Sequence, residues 1–278
     1  MVDTIAVIDD DLIERMSMNN ADRAYLLLEE GRKTEAAVIS THAGGGAVNA
    51  AICFARLGFD VSVIVKLGAD DRAALVKDTL AKEGVRTDRL VHTGLAGSGA
   101  SVLISAHDRN AAIFTFRGSN SLLKLEDLSD PAFAAGIVYV STLSDASALL
   151  FPDIVKKAAG SGAFVAVNPG IRQLAGHGED FQSALTDISL LSMNRDEAAT
   201  LLPRLLAASS KPSRTISQSQ KSDNADLMRR GFAASGFTMS LPHFFEALLA
   251  SGPRCILVTD GKRGAYAADQ SGSAFARL

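Results

Sequence analysis

The sequence predicts an α/β protein, a three-layer αβα sandwich around a mainly parallel sheet with a small β excursion attached. Three observations predict it. Short apolar runs rich in β-branched residues recur at 5–8, 61–65, 137–140, 164–167, 188–191 and 256–258. They are continuous rather than alternating, as strands buried on both faces are. Stretches of helical spacing separate them, the order that yields a parallel sheet covered by helices. Finally, 47% hydrophobic and 21% charged residues place the chain among those that bury a core and outside the disordered class.

The elements follow in order. Ile5-Ala6-Val7-Ile8, ended by Asp9, Asp10 and Asp11, reads as a buried central strand. The polar stretch 15–41 leaves the sheet and carries a helix candidate at 21–30, closed by Gly31 as a C-cap. At 101–116, two strand-like runs flank His107-Asp108-Arg109-Asn110, a hairpin turn signal. Segments 15–43 and 91–120 are therefore expected to form a lid over a cleft, since lids move relative to a rigid base. A surface hairpin without function reads alike. Segment 207–235 is a polar insertion, and its Ser/Lys/Gln-rich part at 209–224 is expected to be a surface loop without function. Residues 1–278 otherwise read as one domain.

Composition also excludes functions. With 28 basic against 31 acidic residues and no basic stripe interleaved with aromatics, nucleic acid is not an expected partner. Cys53 and Cys255 stand alone, which suggests neither a disulfide framework nor a thiolate zinc site and fits a reducing, cytoplasmic location. No apolar run approaches the roughly 20 residues that cross a bilayer, and Met1-Val2-Asp3-Thr4 does not open an export signal, so no membrane role is expected.

The densest chemical signal is Gly44-Gly45-Gly46-Ala47-Val48-Asn49. Consecutive glycines let backbone approach a ligand while the following helix presents free N–H groups, and Asn49 on its first turn can donate to and accept from hydroxyls. A plain glycine turn before a helix looks the same. A dinucleotide fingerprint fails because its third glycine falls on Asn49 and no strand is expected just before the triplet, and no P-loop occurs. Asn194-Arg195-Asp196-Glu197 follows an apolar run, a spacing that brings an amide and a carboxylate to one helix start, where phosphate and magnesium-bound water can be held. It is equally the pattern of a capping box. Arg117 after Phe114-Thr115-Phe116, Arg172 after Asn168-Pro169-Gly170, and the Thr259 to Gly264 turn each admit an ordinary reading as well: a strand-end cation, an Asn-Pro-Gly turn and a hairpin turn.

Together these motifs give the chain a family likeness. The glycine triplet with Asn49, Ala51, Gly58 and Gly68 resembles the first signature of the ribokinase (PfkB) family of carbohydrate kinases, and Ile5–Ile8 with Leu12-Ile13-Glu14 is similar to the first strand of its 2-keto-3-deoxygluconate kinases. The resemblance implies a ribokinase-like sandwich with a β lid. It implies ATP-dependent, magnesium-requiring phosphorylation of a hydroxyl on a small sugar or sugar acid. Gly44, Gly45, Asn49, Glu14 and Arg117 would hold the acceptor, with Asp10 able to take over where Asp9 replaces the family's usual glycine. Asn168, Arg172, Asn194, Thr259 and Gly261 would hold nucleotide and phosphate, and Glu197 would organise magnesium. The glycine turn and the Asn194/Glu197 pair are expected to serve one crevice. A nucleoside kinase of the same fold and a noncatalytic sugar-binding relative remain alternatives. Lid-mediated dimers occur in the family, so a homodimer through the lid is an expectation. The family's second signature, Gly-Ala-Gly-Asp with the base Asp, does not occur up to Leu278, so the chain reads as C-terminally incomplete and nearly inactive alone.

Overall fold

The computed structural model describes residues 1–9, 12–17, 24–31, 33–105, 111–208, 227–234 and 237–276. They form two compact units, Met1–Leu123 and Lys124–Leu278.

The first unit is built on a four-stranded sheet. Strand β1 (Val2–Val7) is followed by a ribbon of β2 (Glu14–Ser17) and β3 (Ala24–Leu27), then β4 (Val38–Ala43) and helix α1 (Gly46–Arg56). Next come β5 (Lys66–Leu67), α2 (Asp71–Lys82), β6 (Val91–His92), β7 (Ala100–Ser105) and β8 (Ala111–Phe116). The sheet order is β4-β1-β7-β8, with β1 antiparallel to β4 and parallel to β7, and β8 antiparallel to β7. Asp70 caps α2 by accepting from Ala73 N–H at 3.0 Å, and Ala73, Val76 and Leu80, spaced by three and four, give that helix one buried face. This face joins Val2, Val48, Ala51, Val63 and Leu67 in the unit's main core. α1 ends in a Schellman motif: Phe59 N–H donates to Phe54 O, Gly58 N–H donates to Ala55 O, and Gly58 has φ 90°.

Four expectations change here. β1 is interior, but it belongs to a mixed sheet, antiparallel to β4, and most of it is only half-buried. The 61–65 run gives an isolated bridge between Ser62 and Arg86, and the paired strand starts one residue later at Lys66. The helix candidate at 21–30 is a strand over Ala24–Leu27. Leu26 packs on Ile8 and Ile13 while Tyr25 and Leu27 face solvent, a period of two that pairing with Glu14–Ser17 selects over helical propensity. Finally, β4 runs directly into the glycine triplet, so a strand does precede it, and only Asn49 still argues against a dinucleotide fingerprint. The expected turn 107–110 and loop 209–224 lie outside the described residues, as does Asp10.

The second unit carries the parallel sheet. Its elements are β9 (Ile137–Val140), α3 (Phe151–Gly160), β10 (Phe164–Val167), α4 (Ile171–Gly176), α5 (Gly178–Ser183), β11 (Leu190–Asn194), α6 (Arg195–Thr200) and α7 (Leu202–Ala208). There follow α8 (Leu227–Arg230), a small hairpin of β12 (Phe232–Ala234) and β13 (Phe237–Met239), α9 (Leu241–Ala250), β14 (Cys255–Thr259), β15 (Ala265–Asp269) and β16 (Gly272–Ala276). In the order β9-β10-β11-β14 the strands are parallel, and β15 and β16 extend the sheet antiparallel. Val165, Val167, Leu191, Ile256 and Val258 are all buried, as unbroken apolar strands require. Helix faces such as Ile154/Val155/Ala158 of α3 and Leu241/Phe244/Phe245/Leu248 of α9 complete the core.

Candidate functional site

In the second unit, three adjacent parallel strands end in polar residues. β10 runs into Asn168, β11 ends at Asn194 and β14 at Thr259, and the last two are direct partners across the ladder. Open parallel sheets bind ligands at the carboxyl ends of their strands. The Asn168 side-chain amide donates to Ser192 O at 2.9 Å, tying the ends of β10 and β11 together. Arg172, second residue of α4, is exposed; it follows Gly170, where a side chain would collide with Thr142. Gly261, at φ 55°, turns the chain after β14.

Asn194 and Glu197 do form a capping box. Asn194 Oδ1 accepts from Glu197 N–H at 2.9 Å, and Glu197 Oε2 accepts from Asn194 N–H at 2.8 Å. Burial raises the Glu197 carboxyl above the ordinary range, the Asn194 N–H offsets this in part, and the charge of Asp196 adds to it. The Tyr139 hydroxyl is likewise raised, by burial and by the Glu197 charge.

Beside this box lies a cleft of about 360 Å³ lined by residues 194–196 and 259–263. Its floor holds a residue that the sequence reading missed. Asp260 is buried and gathers Arg230, Arg263 and Arg195 around one carboxylate. It was legible only as the unread middle of the Thr259-Asp260-Gly261 turn, while Arg230 sat in the segment set aside as a polar insertion.

In the first unit, Gly44 and Gly45 follow β4, and Asn49 stands exposed on α1. Gly45 is the N-cap with φ 92°, a conformation that favours glycine. Gly44 is glycine for space: a Cβ there would collide with the Asp3 carboxylate, which accepts from the Ser101 hydroxyl at 2.5 Å. Arg117 follows β8 and is half-buried. Register puts Val2, Ala43, Ala100 and Phe116 in one row, so Gly44 and Arg117 leave the sheet at the same end. Glu14 does not join them; it starts β2 next to Ile13, which packs on Ile8 beyond the opposite end of β1.

The Arg117 loop is held by a second cluster absent from the sequence reading. Asp70 accepts from Ser98 N–H at 2.8 Å and Ser98 Oγ at 2.7 Å, Ser98 Oγ accepts from Gly68 N–H at 2.9 Å, and Ser119 N–H donates to Gly97 O at 2.9 Å. Burial alone would push the Asp70 carboxyl up, but the bonds from Ser98 and Ala73, with Arg72 nearby, hold it below the ordinary range.

Among the described residues, no group of three or more His, Cys, Asp or Glu could hold a metal, and no helix is long and apolar enough to cross a membrane. One carboxylate suits magnesium, which keeps several waters and takes its remaining ligands from phosphate. The positively lined cleft suits phosphate.

A family model described as pfkB family carbohydrate kinase matches residues 4–228, which includes every site residue expected from the sequence except Thr259 and Gly261. Among solved structures, the chain is similar to ribokinase of Arabidopsis thaliana complexed with ribose and ATP, at 19% identity and TM-score 0.65 over 100% of this chain and 75% of that one. A Thermotoga maritima ribokinase gives 14% identity and TM-score 0.69 over 100% and 74%. Adenosine kinase of Anopheles gambiae gives 15% identity and TM-score 0.68 over 100% and 84%. At these identities the likeness establishes the fold, the ribokinase-like α/β sandwich.

Proposed function

The chain belongs to the pfkB family of carbohydrate kinases, and from that premise we propose that it transfers the γ-phosphoryl group of ATP to a hydroxyl of a small sugar or sugar acid, with magnesium, in the cytoplasm. The observation that supports this most is the row of Asn168, Asn194 and Thr259 at three neighbouring strand ends, beside a cleft walled by arginine and lysine. Phosphoryl transfer depends mainly on positioning and on neutralising charge, which such a wall supplies. In this reading Asn168, Arg172, Asn194, Thr259 and Gly261 take the nucleotide, and Glu197 holds a water of the magnesium ion, which when bound would neutralise phosphate charge. Gly44, Gly45, Asn49 and Arg117 take the acceptor, and Glu14 enters from the resemblance alone. A homodimer through segments 15–43 and 91–120 is part of the same reading. The proposal includes binding of both substrates by these 278 residues.

The test is a panel of sugars, sugar acids and nucleosides with ATP and magnesium, scored by calorimetric binding and by ADP formation. Saturable binding of ATP and of one acceptor class is expected, with a nucleoside as best acceptor favouring the nucleoside-kinase alternative. If neither ATP nor any acceptor binds, the kinase reading of these sites is wrong.

A further inference from the structure

Asp260 is 2% exposed at its side chain and carries three arginines. Arg230 Nη2 lies 2.7 and 2.8 Å from its two oxygens. Arg263 makes a fork, with Nε at 3.0 Å from Oδ2 and Nη2 at 3.3 Å from Oδ1, and Arg195 Nη1 is 3.6 Å from Oδ1. A buried carboxylate needs a partner, but one guanidinium satisfies its charge. With Lys262, four cations (Arg195, Arg230, Lys262, Arg263) face three carboxylates (Asp196, Glu197, Asp260) in and around the cleft, an excess of one positive charge. Arg195 and Arg263 line the cleft and are 29% and 34% exposed, so each keeps a face toward solvent. Arg230 is 16% exposed and approaches Asp260 from outside the lining.

We propose that Asp260 is a positioning residue for the nucleotide: braced by Arg230, its buried carboxylate fixes the guanidinium of Arg263 on the cleft wall and attracts that of Arg195, whose Nε donates to Asp196 at 3.0 Å, and the two arginines take the polyphosphate. Guanidinium recognises phosphate through paired parallel donors, so fixing its plane in advance removes an ordering cost at binding. Arg230 also brings the end of segment 207–235 to the nucleotide site, beyond the 209–224 stretch that is expected to carry no function. The inference rests on the reading of this cleft as the nucleotide site.

The test measures ATP affinity by calorimetry with magnesium in the full chain and in R263Q, R263K and D260N, with melting temperatures alongside. Lysine keeps the charge but cannot make the fork to Asp260. R263Q is expected to weaken ATP about tenfold, the loss of a charge-assisted contact. R263K should fall nearly as far, at melting temperatures within about 2 °C of the unaltered chain. D260N should weaken ATP in the same sense. Wild-type affinity in R263K would show that the cleft responds to charge alone and would overturn the positioning role, as would wild-type affinity in folded D260N. If D260N does not fold, the R263K and R263Q pair still decides. An unaltered chain that binds no ATP rejects the nucleotide reading itself and the inference with it, an outcome distinct from the others.

Discussion

Gly68→Ala tests whether the glycines of the N-terminal signature are there for space. A Cβ on Gly68 would stand 2.5 Å from Ser98 N, 2.7 Å from Ala96 O and 2.7 Å from Gly97 C. All three are backbone atoms, so no side-chain rotation relieves the overlap and segment 96–98 must retreat. Retreat stretches the buried Gly68 N–H to Ser98 Oγ bond of 2.9 Å, through which the signature turn is tied to Asp70. Overpacking of this kind costs about 1–3 kcal/mol, and a buried donor left without its acceptor costs about 1–3 kcal/mol more. The expected loss is thus roughly 2–6 kcal/mol, a large share of the roughly 5–15 that holds a typical domain. Gly58→Ala is the internal control. It has no described atom within 4 Å and φ +90°, so only backbone strain of about 1–2 kcal/mol applies. Urea denaturation followed by circular dichroism measures both. Because Gly97 O also accepts from Ser119 N–H, Gly68→Ala should displace the Arg117 loop and weaken acceptor binding, whereas Gly58→Ala should not. A Gly68→Ala loss no larger than that of Gly58→Ala would refute the steric account.

Three further substitutions have expected outcomes. Glu197→Gln keeps an acceptor for the capping box but removes the charge, so the magnesium concentration that supports ATP binding should rise about tenfold while the melting temperature holds. Its pH profile should change too. A raised carboxyl means that the native state holds its proton longer, so stability falls as pH rises from the ordinary carboxylate range to the Glu197 value, and Glu197→Gln should remove that fall from a urea-midpoint titration. Asp70 has the opposite sign. Its lowered pKa gives stability that is present above the ordinary carboxylate range and lost as pH falls through the Asp70 value, and Ser98→Ala should make this acid limb shallower. Asn194→Asp keeps the N-cap but trades an amide donor for a second carboxylate beside the proposed phosphate cleft, so ATP affinity should drop about tenfold at an unchanged melting temperature.

What the sequence revealed follows from how each element is stabilised. The strands at 137–140, 164–167 and 255–259 are apolar runs with buried positions in each, Val140, then Val165, Ala166 and Val167, then Ile256 and Val258, so hydrophobicity marks them although Ile137 and Phe164 stay exposed. Residues 24–27 are specified by pairing with Glu14–Ser17 across the ribbon, a partner that no local window contains, and their leucines imitate a helix. The polar ends of β10, β11 and β14 were readable because each motif directly follows its strand. Asp260 was not, since its role comes from an arginine thirty residues upstream and one three residues downstream. Gly44 was singled out for the approach of a ligand, yet the nearest demand on it is the Asp3 side chain, from a strand whose register against β4 only the fold discloses.

The same comparison bears on the choice between a cap and a ligand site at Asn194 and Glu197. The two readings compete only if capping exhausts the side chains, and it does not. A carboxylate offers two oxygens and about four acceptor positions, and the cap engages Oε2 with a single N–H. Asn194 spends its Oδ1 on Glu197 N–H and keeps its amide donors. Capping therefore fixes the orientation of both groups at the end of β11, beside Thr259 and the arginine wall, and the ordering is complete before any ligand arrives. Burial that raises the Glu197 carboxyl acts in the same direction, because a carboxylate short of solvent gains most from a cation nearby. A capping box at this position therefore leaves both groups oriented and with acceptor and donor capacity to spare, and its presence is no argument against the proposed binding.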